Sequence, residues 1–182
     1  MFEISIANFK IITGTELEHF TSHVLRGDAW GSFLKLASTI EAASKRAIGI
    51  KLGIDPSLEA VARMEFYTAL LLCRETELIP PSAFDFANYI RHVRNDLVHN
   101  GGMLNLDIEK LRGSAFFAKY KSRVEAFITI EGMSVVSSEQ QHMNTLLVGC
   151  VGFISFLSKA LFNDDWYKPN AAGSAAPEAK TQ

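Results

Sequence analysis

An arginine, an asparagine and a histidine fall within RNDLVHN, residues 94–100, and Gly101 and Gly102 follow at once. These groups suit metal-independent cleavage of RNA. There the 2′-hydroxyl of a ribose attacks the adjoining phosphorus, and an imidazole with an ordinary pKa near ~6.5 relays the protons around neutral pH. A guanidinium fork holds the charge that builds on the phosphorane oxygens. His99 would be the acid/base, Arg94 the charge clamp, and Asn95 the group that orients a phosphate or ribose oxygen. DNA lacks the attacking hydroxyl and would not react this way.

Eight arginines and five histidines make an Arg-x4-His spacing cheap in this chain, so the context has to supply the specificity. The motif lies in a helical rhythm from Ser82 to His99, which Asn100-Gly101-Gly102 would end. A histidine at that carboxyl end feels a dipole favouring imidazolium, hence a proton donor and phosphate binder. On a helical wheel Phe86, Ile90, Val93 and Leu97 gather on one face, which meets the core. Asn88, Arg91, Asn95 and His99 form a polar stripe, the last three spaced by four. Arg94 falls near the edge of the apolar face, where it must snorkel outward or find a partner.

Arg94 and His99 are about 140° apart on a straight helix. Either the last turn unwinds before Gly101, or the two groups meet across a two-fold contact between copies. A plainer reading treats the motif as a helix stop. His99 would then satisfy free carbonyls, and Arg94 would pair with a carboxylate such as Glu65, or Asp96 of a neighbouring chain.

The elements that must position these residues are mostly helical. TELE at 15–18 has the pattern of a capping box and opens a helix to about Arg26. Ala29 to about Ile50 repeats apolar residues at Phe33, Leu36, Ala37, Ile40, Ala43 and Ala47. Asp55-Pro56 opens a helix over Ser57 to Leu78, and Pro80-Pro81 stops it. Leu106 to about Ala126 reads as a basic helix, and Ser138 to Phe162 as a buried one. Within the last, the uncharged run from Thr145 to Ser158 has 14 residues, short of the ~20 needed to span a bilayer. Gly149 and Gly152 would let a neighbouring helix approach closely there. Two segments read as strands: FEISIANFKII at 2–12, from its alternation, and a hairpin in FITIEGMSVV at 127–136. After Tyr167 the composition turns small and polar, as in a disordered tail over 168–182.

The predicted fold is therefore mainly α: one domain over 1–167, a bundle of about six helices, with a small sheet from the N-terminus and the hairpin. The start, MFEISIANFK, lacks the pattern of a secretory signal, and Cys73 and Cys150 sit in apolar helical stretches without CxxC spacing. Both point to a cytoplasmic protein without disulfides or membrane spans. Charge is uneven: residues 1–87 carry 8 basic against 11 acidic groups, 88–123 carry 7 against 3, and 124–182 carry 3 against 6. The middle segment thus favours a phosphate ligand, with Arg91, Lys119, Lys121 and Arg123 the candidate contacts. His19 and His23, at i and i+4 beside Glu16 and Glu18, have zinc spacing but no third ligand, so no metal site is assigned. No phosphate loop or other nucleotide motif occurs, and no cofactor is expected.

At Arg94, Asn95 and His99 the sequence resembles the HEPN superfamily, whose signature is an arginine, four to six residues and a histidine, often with a polar residue after the arginine. The resemblance implies a four- or five-helix bundle that pairs as a homodimer with the motif at the contact. It also implies metal-independent ribonuclease activity of toxin or defence type on an RNA substrate, with an antitoxin as the matching protein partner. GSFLKLASTIEAAS at 31–44, VRNDLVHNG at 93–101, the following LDIEKLRGSAFF and the apolar C-terminal helix resemble mannitol operon repressor proteins over about residues 29–162. That likeness implies a regulatory, protein-contacting role without nuclease chemistry. No helix-turn-helix is evident, and the two strand-like segments fall outside the minimal helical bundle.

Overall fold

Ala29–Lys51 forms a 23-residue helix, about 34 Å long, whose buried positions recur at Phe33, Leu36, Ala37, Ile40, Ala43, Ser44, Ala47 and Ile48. So wide an apolar stripe needs partners on several sides, and it has them. The computed structural model describes residues 6–26, 29–99 and 139–162. Among these it holds seven helices and no strand: α1 (Ile6–Thr13), α2 (Leu17–Arg26), α3 (Ala29–Lys51), α4 (Glu59–Ala62), α5 (Phe66–Glu75), α6 (Pro81–His99) and α7 (Glu139–Phe162). The central α3 touches all six others, α7 also packs on α1 and α6, and α5 packs on α6. The result is an all-α bundle. The basic helix, the 127–136 hairpin and the 168–182 tail lie outside the described residues.

Two sequence expectations are overturned. Ile6–Thr13 is helical rather than the end of a strand. Its short apolar pattern fits both periods, and the helix wins because Phe9, Ile12 and Thr13 meet the core together, while Ile6 and Ile11 face solvent. Thr13 confirms the geometry by donating its hydroxyl to the Phe9 carbonyl one turn back, at 2.8 Å. The second correction concerns residues 57–78, which form two helices, α4 and α5, and not one. Val61 and Phe66, five residues apart, would point about 140° from each other on a continuous helix, yet both are buried. Extended backbone at Glu65 re-phases the chain so that Phe66, Ala69, Leu70 and Cys73 share one face. Before α4, Asp55 accepts the Ser57 N–H and hydroxyl at 2.8 Å each, and these bonds hold its carboxyl below the usual range.

Helix ends are closed by paired backbone bonds. After α3, Ile54 N–H reaches the Gly49 carbonyl at 2.8 Å and Gly53 N–H reaches Ile50 at 3.1 Å, with Gly53 at φ 67°. After α5, Leu78 N–H reaches Cys73 at 2.8 Å and Glu77 N–H reaches Arg74 at 3.0 Å, but the left-handed position, φ 58°, is held by Glu77. A Cβ is penalised there. Glu77→Gly should therefore raise stability by about 0.5–1 kcal/mol despite glycine's greater freedom when unfolded, read as a higher urea midpoint at unchanged slope.

The uncharged run of α7 packs inside the bundle: Cys150, Phe153, Ile154 and Leu157 are all fully buried. Among the described residues no helix is long and apolar enough to cross a membrane. Gly149 of α7 faces the Phe86 ring of α6 so closely that a Cβ added there would lie 2.5 Å from it. Both cysteines are buried and free. Burial pushes the Cys73 thiol up to about 12 and raises Cys150 as well. Neither should react with a disulfide reagent at pH 8 in the native protein, and both should react once denaturant is added; a native burst of one thiol would contradict this packing.

Candidate functional site

The motif helix α6 begins at Pro81, whose missing N–H costs nothing in a first turn, and continues without a break to His99. Phe86, Ile90 and Val93 are buried and fix its rotation against α3 and α7. Rotation in turn places the polar residues. Arg91 and Asn95 lie half-buried on one stripe, while Asn88 of the same stripe is 9% exposed and accepts a hydrogen bond from Arg91. The His99 side chain and all of Lys119, Lys121 and Arg123 lie outside the described residues.

Arg94 stands 36% exposed at the edge of the apolar face, and its Nη2 is 3.7 Å from Oε2 of Glu41 on α3. Glu65, the sequence candidate, is not its partner. Glu41 also takes Lys45 at 2.7 Å, and Lys45 donates onward to the Ala62 carbonyl at 3.0 Å. One carboxylate is thus shared between two cations. The Glu41–Lys45 pair was readable as an i,i+4 couple on α3, but no local signal could have brought Glu41 to Arg94. The long 3.7 Å contact is one-sided and leaves the guanidinium donors able to take a further oxygen.

Arg91 is held differently. Its Nε donates to Asn88 Oδ1 at 3.0 Å, its Nη2 lies 2.8 Å from His92 Nε2, and its guanidinium sits 4.9 Å from the centroid of the Tyr67 ring on α5. Beside it Phe84 approaches Tyr67 with centroids 6.4 Å apart, and Arg74 lies over Phe84 at 4.5 Å. Sequence reasoning missed Tyr67, Phe84 and Arg74, since their meeting is a contact between two helices.

On α2 the His19 and His23 rings lie 3.9 Å apart, and His23 Nδ1 is 2.9 Å from the His19 carbonyl. Among the described residues no three histidines, cysteines or acids gather in a form that could hold a metal.

Chemically, the α6 face offers a half-exposed guanidinium, a carboxamide one position on, and a second fixed guanidinium three residues before the first. Guanidinium and carboxamide are group types able to bind phosphate, and the helix continues from them to His99. Because α6 is regular to its end, positions 94 and 99 of its backbone fall about 140° apart around the helix axis, and no unwinding before position 99 brings them together. Set against protein-family models, curated proteins and solved structures, the chain matches none of them.

Proposed function

We propose that this chain is a HEPN-like, metal-independent endoribonuclease whose reaction centre forms at a homodimer contact, with Arg94 and Asn95 of one copy facing His99 of the other. The observation that carries this reading is the uninterrupted α6, which sets backbone positions 94 and 99 on different sides of one helix while leaving Arg94 half-exposed near its end. Two antiparallel copies meeting at these ends would give each arginine a histidine from its partner.

In the proposed reaction, imidazole takes the proton of the ribose 2′-hydroxyl as its oxygen attacks phosphorus. Arg94 holds a non-bridging oxygen, and Asn95 orients the phosphate. The 5′-oxygen leaves with a proton returned by imidazolium, giving a 2′,3′-cyclic phosphate and a 5′-hydroxyl. Glu41, shared with Lys45, would steady the Arg94 fork.

A second reading draws on the same Glu41 contact: Arg94 ties α6 to α3, the motif closes a helix, and the protein is a regulatory, protein-binding module like the mannitol operon repressors it resembles. Single-stranded RNA incubated in chelator separates the two. Under the nuclease reading, wild type cuts it to cyclic-phosphate ends, a fully 2′-deoxy substrate survives, and Arg94→Ala and His99→Ala abolish cutting without lowering the melting temperature by more than a few degrees. Under the regulatory reading wild type never cuts, and the variants melt lower.

A further inference from the structure

Among the described residues no carboxylate forms an ion pair with the half-buried Arg91. Among the described residues Arg63 pairs with Glu59, Arg74 with Glu75 and Arg94 with Glu41, and Arg46 donates to the Ile11 carbonyl, whereas the groups around Arg91 are the Asn88 amide, the His92 ring and the Tyr67 ring, with no described acid within ion-pair distance. Two of its five donor sites are engaged, and the fork is fixed in direction. Such an arginine keeps its full charge and has already given up the rotamer freedom that binding an anion would otherwise cost.

The ring beside it is the second half of the observation. Tyr67 is 43% exposed although one side of it carries the Arg91 guanidinium and Phe84 braces it. An exposed aromatic surface next to a preorganised cation matches the two parts of a nucleotide, a planar base and a phosphate, better than it matches an acidic peptide, which would use the cation and leave the ring in water. Position adds to the chemistry. Arg91 and Asn95 follow one another at four-residue spacing on one stripe, so Arg91 stands about 6 Å along the helix from Asn95, which with Arg94 forms this copy's side of the proposed reaction centre.

We infer that Arg91 and Tyr67 form a nucleotide subsite for single-stranded RNA, taking a phosphate on the guanidinium and a base on the exposed part of the ring. A strand seated there would run along α6 towards Arg94 and Asn95, where His99 of the second copy completes the proposed centre. This assignment rests on the ribonuclease reading for its substrate. Its own content is a positioning role: the subsite holds the strand and touches no reacting atom.

The test is the fluorescence anisotropy of the full chain with a short labelled oligouridine, 2′-O-methylated throughout so that it cannot be cut. Tyr67→Leu keeps apolar bulk and removes the π-face, and should weaken binding about tenfold, within the range for losing one stacked base. Tyr67→Phe should bind within about twofold of wild type by the same argument. Arg91→Gln should flatten the dependence of log affinity on log salt by about 0.7, one phosphate contact on a single strand. In cleavage of ordinary RNA the effects should fall on KM and not on kcat.

Wild-type affinity and salt slope in both Tyr67→Leu and Arg91→Gln would overturn the assignment. So would a wild type that ignores the oligonucleotide, or one that binds polyglutamate in its place. The two proposals fail separately. Binding with this residue dependence but no cleavage would retain the subsite and remove the nuclease, whereas cleavage with unaltered binding in the variants would do the reverse.

Discussion

Mixed in equal amounts, Arg94→Ala and His99→Ala chains, each inactive alone, should regain about a quarter of wild-type ribonuclease activity. The figure follows from two-fold symmetry: random exchange makes about half the dimers mixed, and one of the two sites in each mixed dimer receives both intact groups. A site built within one chain would give no recovery, because every copy would lack one group. The separate losses should be large. Removing a general acid/base costs about 10²–10⁴ in rate, and removing a charge clamp about 10²–10³. Stability should move little, since Arg94 is 36% exposed and its 3.7 Å contact with Glu41 is of the kind worth about 0–1 kcal/mol in water. Activity lost without unfolding, and regained on mixing, is what a structural helix stop cannot produce. Absence of recovery, with each variant folded and dimeric, would defeat the shared site.

Phe86→Ala should lower the melting temperature by about 6–20 °C. The ring is fully buried between α6 and α7, and truncating such a phenylalanine costs about 3–5 kcal/mol, at about 2–4 °C per kcal/mol for a chain of this length. The partner position sharpens the argument. Gly149→Ala in the wild-type background places a methyl 2.5 Å from the ring, where a buried side chain has no room to yield. Overpacking of about 1–3 kcal/mol should then outweigh the roughly 1 kcal/mol that alanine contributes over glycine in a helix. With Phe86→Ala already made, the same methyl enters vacated space, and Gly149→Ala should become stabilising. A change of sign between backgrounds, measured by thermal or urea unfolding, is the signature of direct contact; equal effects in both would mean that the two helices do not meet there.

The sequence by itself determined most of the helices and which faces they bury. Phe33, Leu36, Ala37, Ile40, Ala43 and Ala47 follow the helical period on α3, and each is buried, as are Phe86, Ile90 and Val93 on α6. That period is a property of neighbours three and four apart, so it can be read without knowing the fold. The same arithmetic set Arg91 and Asn95 on a stripe away from the core and left Arg94 at its edge. Pro80-Pro81 marked the boundary between the helices on either side for an equally local reason.

Only the tertiary structure decided the rest. Residues 6–12 are too short for alternation and helical spacing to be told apart, and contact with α3 and α7 chose the helix. The break at 63–65 exists because Val61 and Phe66 must both reach a core that one straight helix cannot offer them. At the candidate site, the Glu41 contact of Arg94 and the stacking of Arg91 on Tyr67 join residues 53 and 24 positions apart by subtraction of their numbers. Such meetings depend on how two helices cross and how each is rotated about its axis. Rotation is set by the summed packing of the whole bundle, and no local pattern of residues encodes it.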